Sequence, residues 1–339
     1  MEGELDSASR GETGVKLETN ETAVSGNEWT PREMVLLEEV VQRAPSVHNT
    51  KPWLLQFSGR SVALRLDPAS RLEYQDPEGR DLRISCGAAV ANLTVAFRGL
   101  GWAPEVRWAV DAEDGSYVAV VEATHRRPPT VLDRERWRAV SERRSYRKAF
   151  SERPIPQLAK TAILAASVIP ATWVEGGEER SKLANILVQA AEANQEDHHY
   201  QAELQGHITG ALSLEGMPEA VLPRDGISAL GMARPVTQVP ADDELAACLE
   251  TEEVLIFSTL DDSRRDQLQA GEAVERVWLE ATRLGLVGSV TTQPLRLPEF
   301  RYGLRQALGI RGIPQLLMRL GYPASSSPRT LAQWLDSGP

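Results

Sequence analysis

Three observations predict an α+β fold in two related parts for this chain of 339 residues. A strand–turn–strand pattern over residues 53–66 predicts an antiparallel hairpin. Segments with helical apolar periodicity lie on both sides of that hairpin. One of them, residues 87–101, recurs at residues 271–285, a constant offset of 184.

The amino-terminal segment differs from the rest of the chain in composition. Residues 1–29 are rich in Gly, Ser, Thr and Glu and have almost no large apolar side chain, so we expect a disordered acidic tail. The run Thr30–Glu33 then forms a capping box with proline at the first helical position. It predicts a helix that ends near Gln42.

The hairpin prediction depends on alternation of side chains. Apolar residues occupy every second position on both sides of the turn Ser58–Arg60. These residues are Trp53, Leu55 and Phe57 before the turn, and Val62, Leu64 and Leu66 after it. A buried helix over residues 87–101 and a strand from Tyr117 to Glu122 follow.

The internal repeat compares two apolar helices. Residues 87–101 and 271–285 share Gly, Ala, Val, Leu and Gly at equivalent positions, and most inward positions keep an apolar residue. Two unrelated helices with the same periodicity could also give this similarity. The alternative is that one chain contains two related halves.

Residues 43–53 contain the first chemical motif, Arg-Ala-Pro-Ser-Val-His-Asn-Thr-Lys-Pro-Trp. A polar loop between a helix and a strand presents Ser46, His48, Asn49, Thr50 and several backbone amides at one rim. Such a density of donors and acceptors suits the binding of a polar cofactor. Ordinary turn chemistry before a proline is the other interpretation.

Residues 142–150 contain the second motif. Arg143, Arg144 and Arg147 surround Ser145, and planar guanidinium groups match phosphate oxygens bidentately. A run of charge is also typical of a solvated helix face.

Together, and in this order, the two motifs resemble the FMN-binding nitroreductase family. The first resembles its Ala-Pro-Ser-x-x-Asn-x-Gln-Pro-Trp loop, and the second resembles its Arg-Arg-Ser-x-Arg-x-Phe signature. Residues 285–295 resemble the family's flavin-edge segment, and Gly321-Tyr322-Pro323 resembles its closing strand. The resemblance covers roughly residues 30–335. It implies two pseudo-symmetric halves, each with a mainly antiparallel sheet flanked by helices.

The resemblance also implies a cofactor and a site. FMN would lie between the halves, its N5 atom would be the reactive centre, and NAD(P)H is the implied co-substrate. No catalytic protein residue and no metal are expected. The implied cofactor-binding residues are Pro45, Ser46, Val47, Asn49, Lys51, Arg143, Arg144, Ser145, Arg147, Thr292, Gln293 and Arg329. Lys51 departs from the family, which has glutamine there, so its role is open between influencing the flavin and reaching solvent.

The distribution of motifs implies a fused pseudo-dimer. The Ser/Asn loop occurs only in the first half (residues 30–130), and the arginine cluster occurs only in the second (residues 131–339). One FMN site in a monomeric chain follows, as in the two-halved Acg-type branch of the family. A glycine-rich insertion at about residues 195–235 predicts a lid over the flavin.

Composition excludes several other classes. The net charge of −11, with no basic face, argues against nucleic-acid binding. No apolar run is long enough for a membrane span, and the amino terminus lacks a signal peptide, so we expect a cytoplasmic protein. Cys86 and Cys248 are expected to be buried and free. His199, Glu203 and His207 share a helical face, but we interpret that face as solvated or partner-facing, not as a metal site.

The function predicted from these features is an FMN-binding oxidoreductase that passes hydride from NAD(P)H or an organic donor to a small organic acceptor. One alternative is an FMN-storage protein with a closed lid and little reductase activity. A second is a flavin-dependent dehydrogenase or reductase of a biosynthetic pathway.

Overall fold

A computed structural model of the chain describes residues 28–109, 116–210, 215–224 and 226–324. The predicted α+β class is confirmed. The helices are α1 (Pro31–Val41), α2 (Arg80–Gly99), α3 (Val131–Glu142), α4 (Gln157–Ala166), α5 (Gly177–Glu196), α6 (His198–Gly206), α7 (Gly226–Leu230), α8 (Asp242–Glu250), α9 (Arg264–Arg283) and α10 (Pro298–Ala307). The strands are β1 (Trp53–Ser58), β2 (Ser61–Leu66), β3 (Trp102–Trp108), β4 (Tyr117–Arg126), β5 (Ala171–Trp173), β6 (Ile208–Thr209), β7 (Met217–Pro218), β8 (Glu253–Thr259), β9 (Val287–Thr291) and β10 (Ile313–Gly321).

The first sheet is antiparallel and has the strand order β1-β2-β4-β3. The predicted hairpin is confirmed, and its register runs from Trp53 opposite Leu66 to Ser58 opposite Ser61. α1 begins with the predicted capping box, in which the Thr30 hydroxyl accepts from the Glu33 N–H. Trp29, which the sequence placed in the tail, is 2% exposed and packs edge-on against Phe97. The core of this sheet therefore includes the last residue of the predicted tail.

The second sheet has the order β5-β8-β10-β9 and is also antiparallel. In both sheets the first two strands in chain order are neighbours, and the fourth lies between the second and the third. β8 and β10 are buried along almost their whole length because helices cover this sheet. The two sheets thus share one topology.

Helices α2 and α9 join the two sheets at their centre. Each has 20 residues, and each bound of α9 lies 184 positions after the bound of α2. A Cβ placed on Gly87 would lie 1.9 Å from the Leu268 carbonyl oxygen, and one on Gly271 would lie 1.8 Å from the Ile84 carbonyl oxygen. Leu268 is Ile84 shifted by 184, so the contact is reciprocal. The sequence repeat therefore coincides with a close crossing of two equivalent helices.

Helix α2 begins seven residues before the predicted start. Its first turn is polar, and apolar periodicity does not detect it. The Asp76 carboxylate accepts from the Leu82 N–H at 2.8 Å, and an ion pair of 2.6 Å joins Arg80 to the buried Asp81. A side-chain cap and a buried ion pair therefore hold this turn in place of apolar packing.

The two cysteines differ in burial. Cys86 is buried as expected, but Cys248 is exposed, so the expectation of burial was wrong for Cys248. Leu245 and Leu249 supply the buried face of α8, and Cys248 lies beside that face.

Among the described helices, none has both the length and the apolar character that a bilayer crossing requires. Most of the predicted tail (residues 1–27) and Arg329 lie outside the described residues.

Candidate functional site

A cavity of about 510 Å³ opens where the two sheets and the lid segment (residues 195–235) meet. Its size falls within the range of cofactor pockets. Eleven of the twelve predicted site residues line it, namely Pro45, Ser46, Val47, Asn49, Lys51, Arg143, Arg144, Ser145, Arg147, Thr292 and Gln293. Residues almost 250 positions apart in the sequence thus face one space.

The loop over residues 45–51 has an unusual backbone. His48, Asn49 and Lys51 have φ values of 46°, 58° and 48°, in the left-handed region that non-glycine residues seldom adopt. Side-chain hydroxyls hold this shape: the Lys51 N–H donates to Ser46 Oγ at 3.0 Å, and the Val47 N–H donates to Ser85 Oγ at 2.9 Å. Strain of this kind persists where surrounding contacts enforce it, often at functional sites.

The arginine segment is attached to the second sheet. The Tyr146 N–H donates to the Gly288 carbonyl at 2.7 Å, so Ser145 and Arg147 are carried beside β9. Ser145 and Arg144 are exposed at the cavity, whereas Arg147 is half-buried. Burial lowers the pKa of Arg147 from its usual range.

Arg143, which the sequence assigned to the cofactor, forms several contacts within the protein. Its Nε lies 3.2 Å from Glu275 Oε1, its guanidinium lies 4.5 Å from the centre of the Trp278 ring, and one Nη donates to the Arg43 carbonyl. Glu275 is fully buried, and burial raises the pKa of its carboxyl to about 7 despite the charge of Arg143. Glu275 was not predicted, because its helix pattern gives no sign of a buried acid.

Three other cationic side chains at the cavity lack such contacts with described residues. Within the described ranges, the side chains of Lys51, Arg144 and Arg147 form no hydrogen bond or ion pair. A half-buried guanidinium without a counter-ion is unfavourable unless a ligand supplies the charge. The cavity therefore has the electrostatic character of an anion-binding site.

The turn after β9 is held from the other half of the chain. The Thr292 hydroxyl donates to Asp81, and Gln293 Nε2 donates to Asp81 Oδ2 at 2.7 Å. Arg80, paired with Asp81, donates to the Thr292 carbonyl at 2.8 Å. Gln293 Oε1 is buried and has no hydrogen-bond partner among the described residues. Sequence reasoning missed Asp81, which lines the cavity and fixes both predicted residues.

The lid segment closes one side of the cavity. Gly216, Met217 and Pro218 line it, and the Asn49 amide donates to the Gly216 carbonyl at 3.2 Å. A predicted binding residue of the first half therefore contacts the lid directly.

Helix α6 docks the lid onto a loop of the first half. The Glu203 carboxylate accepts from the backbone N–H groups of Glu73, Tyr74 and Gln75 at 2.6, 3.2 and 2.7 Å. The His199 ring stacks on Tyr74 with 4.7 Å between centres. These contacts are within the chain, so the face predicted to be solvated or partner-facing docks partly on residues 73–75. In the part of the chain that is described, no group of three His, Cys, Asp or Glu side chains is arranged to hold a metal ion.

Comparisons with known proteins agree with the resemblance seen in the motifs. Residues 140–322 match the model of the nitroreductase family. "Putative NAD(P)H nitroreductase Rv3131" of Mycobacterium tuberculosis (strain ATCC 25618 / H37Rv) is 30% identical over 297 residues, 84% of each chain. "Putative NAD(P)H nitroreductase acg" of the same strain is 27% identical over 298 residues, 85% of this chain and 90% of its own. The structure of an FMN-bound nitroreductase from Bacteroides fragilis NCTC 9343 is 18% identical, with a TM-score of 0.38 over 58% of this chain and 92% of that chain.

Proposed function

The chain belongs to the nitroreductase family, and from this premise we propose that it is an FMN-binding oxidoreductase that takes electrons from NAD(P)H. One observation carries the proposal. The Ser/Asn loop of the first half and the arginine segment of the second half face one cavity, together with cations that no described residue neutralises. The name of the Rv3131 relative mentions NAD(P)H, which supports a nicotinamide as the electron donor.

The residues fit the chemistry of FMN. Its phosphate is a dianion at most, and Arg144 with Ser145 offers a guanidinium without a described partner and a hydroxyl at the rim of the cavity. Arg143 contributes only its remaining guanidinium hydrogens, because Glu275 and Trp278 fix the group in place. When bound, FMN supplies a ring that accepts and releases hydride at N5.

The other residues would bind and orient the ring. Arg147 would place its charge beside the polar edge of the ring, where negative charge develops on reduction. Asn49 and the strained backbone of its loop would contact the ribityl chain or the ring edge. Thr292 and Gln293, fixed by Asp81, would offer polar contacts at the opposite side. No protein group needs to act as an acid or base for hydride transfer, so orientation and exclusion of water are the main roles of the chain.

We further propose that the chain is a fused pseudo-dimer with one FMN site. The reciprocal contact of Gly87 and Gly271 and the shared strand order support two related halves. The complete set of site residues arises once, since each motif occurs in one half only. A second identical chain is therefore not required to complete the site.

The storage alternative has one observation in its favour. The lid segment is attached to both the Asn49 loop and the 73–75 loop, so one side of the cavity is closed in this structure. A cover that stays closed would retain FMN and hinder access of NAD(P)H. The proposal of turnover requires that these contacts open.

One experiment separates the two functions. The protein is purified, its visible spectrum is tested for bound FMN, and NADPH or NADH is added without oxygen. An oxidoreductase loses its flavin absorbance rapidly with one of the two nucleotides. Persistent colour with both nucleotides would favour storage, and bleaching only with an organic donor would favour the biosynthetic dehydrogenase. A protein that neither contains nor takes up FMN would contradict all three functions.

A further inference from the structure

His48 is a buried histidine in the wall of the cavity. It is 5% exposed, and it lies in the loop segment with left-handed backbone conformation. Its ring stacks on His207 of the lid segment, with 5.6 Å between ring centres and 26° between planes. It lines the cavity together with Asn49 and Asp81. The sequence analysis counts His48 among the polar groups of a loop suited to a cofactor, but His48 is not one of the twelve implied cofactor-binding residues.

The hydrogen bonds of Gln75 determine which ring nitrogen of His48 carries the proton. Gln75 Nε2 donates to the Tyr200 carbonyl at 3.0 Å, so the amide must direct Oε1 toward His48. The atom of His48 in hydrogen-bond contact with Oε1 is Nε2. An amide oxygen can only accept, so Nε2 must carry the hydrogen. In a neutral ring the other nitrogen, Nδ1, is then an acceptor.

Nothing in the described part of the chain uses that acceptor. Nδ1 of His48 forms no hydrogen bond with any described residue. His48 lines the cavity, so a ligand bound there would lie beside its ring. A buried ring nitrogen that accepts and has no protein donor takes its donor from a ligand or from an ordered water.

We propose that His48 is a specificity-determining residue whose Nδ1 accepts a hydrogen bond from the organic substrate. That substrate then carries an O–H or N–H group as a substituent, as hydroxylated or amino-substituted acceptors do. Gln75 is the positioning residue, because it selects the tautomer without facing the substrate. The inference rests on the proposed function for the presence of a flavin beside this ligand, but the state of His48 is independent of it.

The electrostatic surroundings favour the neutral ring that this role requires. Burial, followed by the charge of His207, lowers the pKa of His48 to about 4, and the Arg147 charge acts in the same direction. The contact with Gln75 and the charge of Asp81 oppose this shift. Near neutral pH the ring is therefore an acceptor and not a cationic donor. A neutral acceptor excludes ligands that place a carboxylate or carbonyl oxygen at that position, because two acceptors would meet.

The first test reads the tautomer directly. The chain has five histidines, and selective ¹⁵N labelling with long-range ¹H–¹⁵N correlation distinguishes their ring nitrogens. We expect His48 to remain neutral with hydrogen on Nε2 from pH 6 to 8. Gln75→Met should abolish this preference, while His125 on the exposed end of β4 keeps its signals. A charged ring, or hydrogen on Nδ1 in the wild type, overturns the inference whether or not FMN is bound.

The second test uses phenol and anisole, which differ in one O–H donor. We expect phenol to bind the FMN-loaded protein about tenfold more tightly than anisole, as one hydrogen bond to a buried acceptor allows. Phenol should shift the ¹⁵N resonance of His48 Nδ1, and anisole should not. His48→Asn, which tolerates the left-handed backbone, should reduce the affinity ratio to near one, and His199→Phe should preserve it. Equal binding of both probes to the wild type overturns the inference. Failure to take up FMN overturns the proposed function instead, and the same probes then decide this inference on the flavin-free protein.

Discussion

At the scale of single residues, charges without a described partner determine what the cavity can bind. Arg147 is half-buried, and burial lowers its pKa, yet it remains a cation at every physiological pH. A charged hydrogen bond to an anionic ligand typically contributes about 1.5 to 3 kcal/mol. Arg147 should therefore contribute directly to the affinity for FMN.

We predict that Arg147→Ala weakens FMN binding by roughly tenfold to a hundredfold, the equivalent of that free energy. Arg147→Lys should restore part of the affinity, because a lysine supplies the charge without the planar fork. Titration of flavin-free protein with FMN, followed by fluorescence quenching, measures the effect. Arg138→Ala is a suitable control, since Arg138 lies on the exposed face of α3 and pairs with Glu142. Unchanged affinity in Arg147→Ala would remove this residue from the site.

Glu275 makes the stability of the protein depend on pH. Its pKa is raised from an ordinary acid value to about 7 in the folded state, so the folded state holds a proton that the unfolded chain has released. The stabilisation is complete below the unfolded pKa and is lost as pH rises through about 7. Asp76, whose pKa burial also raises to about 7, acts with the same sign.

We predict that Glu275→Gln removes a large part of this pH dependence. The wild type should lose about 2 to 3 kcal/mol more stability than the variant between pH 5 and pH 8. Urea unfolding at both pH values measures the difference. Glu272→Gln, on the same helix in an i,i+4 pair with Arg276, should follow the wild-type profile. Parallel profiles for Glu275→Gln and the wild type would show that the carboxyl is ionised throughout.

At the scale of elements, the crossing of α2 and α9 requires glycine at two positions. A methyl carbon added at Gly271 or Gly87 would lie only 1.8 or 1.9 Å from a backbone oxygen, which leaves no room for any side chain. The obstacle is backbone, so a rotamer change cannot relieve it and the helices would have to separate.

We predict that Gly271→Ala destabilises the protein by about 3 kcal/mol or more, at or above the upper end for overpacking. Gly303→Ala provides the matched control, because Gly303 lies inside α10 and its added methyl group would meet nothing within 4 Å. That variant should be stabilised by about 0.5 to 1 kcal/mol through helix propensity. Thermal unfolding of both variants measures the contrast. Equal melting temperatures would contradict the close crossing.

At the scale of the whole molecule, the lid segment and the first half are joined by hydrogen bonds and by two ring stacks. Glu203 supplies the most concentrated of these, because one carboxylate accepts from three consecutive backbone N–H groups. Removal of the carboxylate leaves three donors without their partner. The covering of the cavity should therefore depend on this residue more than on any apolar contact of α6.

We predict that Glu203→Ala increases hydrogen exchange of the amides in residues 73–75 and in α6 by about tenfold or more, and speeds the release of FMN. The melting temperature of the rest of the protein should change little. Glu219→Ala removes an exposed carboxylate from the same segment and serves as the control. Unaltered exchange in Glu203→Ala would show that other contacts keep the lid closed.

Local patterns in the sequence predicted several elements of the fold and eleven residues that line the cavity. The capping box of α1 and the alternation in β1 and β2 depend on neighbouring residues, and each matches an observed element. The repeat compares two local patterns 184 positions apart, and it matches the close contact of Gly87 and Gly271 with the facing helix. No element between residues 131 and 196 was predicted, β3 and β8 were also missed, and α2 was predicted too short. In β3 and in the first turn of α2, polar residues interrupt the apolar pattern.

The sequence by itself indicated the family, the two motifs and the two repeated helices, because short-range spacing encodes them. Only the tertiary structure decided that Glu275 holds Arg143, that Asp81 fixes Thr292 and Gln293, and that Gln75 sets the tautomer of His48. Each of these contacts joins polar residues that are distant in the chain. A sequence pattern predicts that a polar side chain faces solvent. Only the fold shows that these side chains are buried and which hydrogen-bond or ionic partner each of them has.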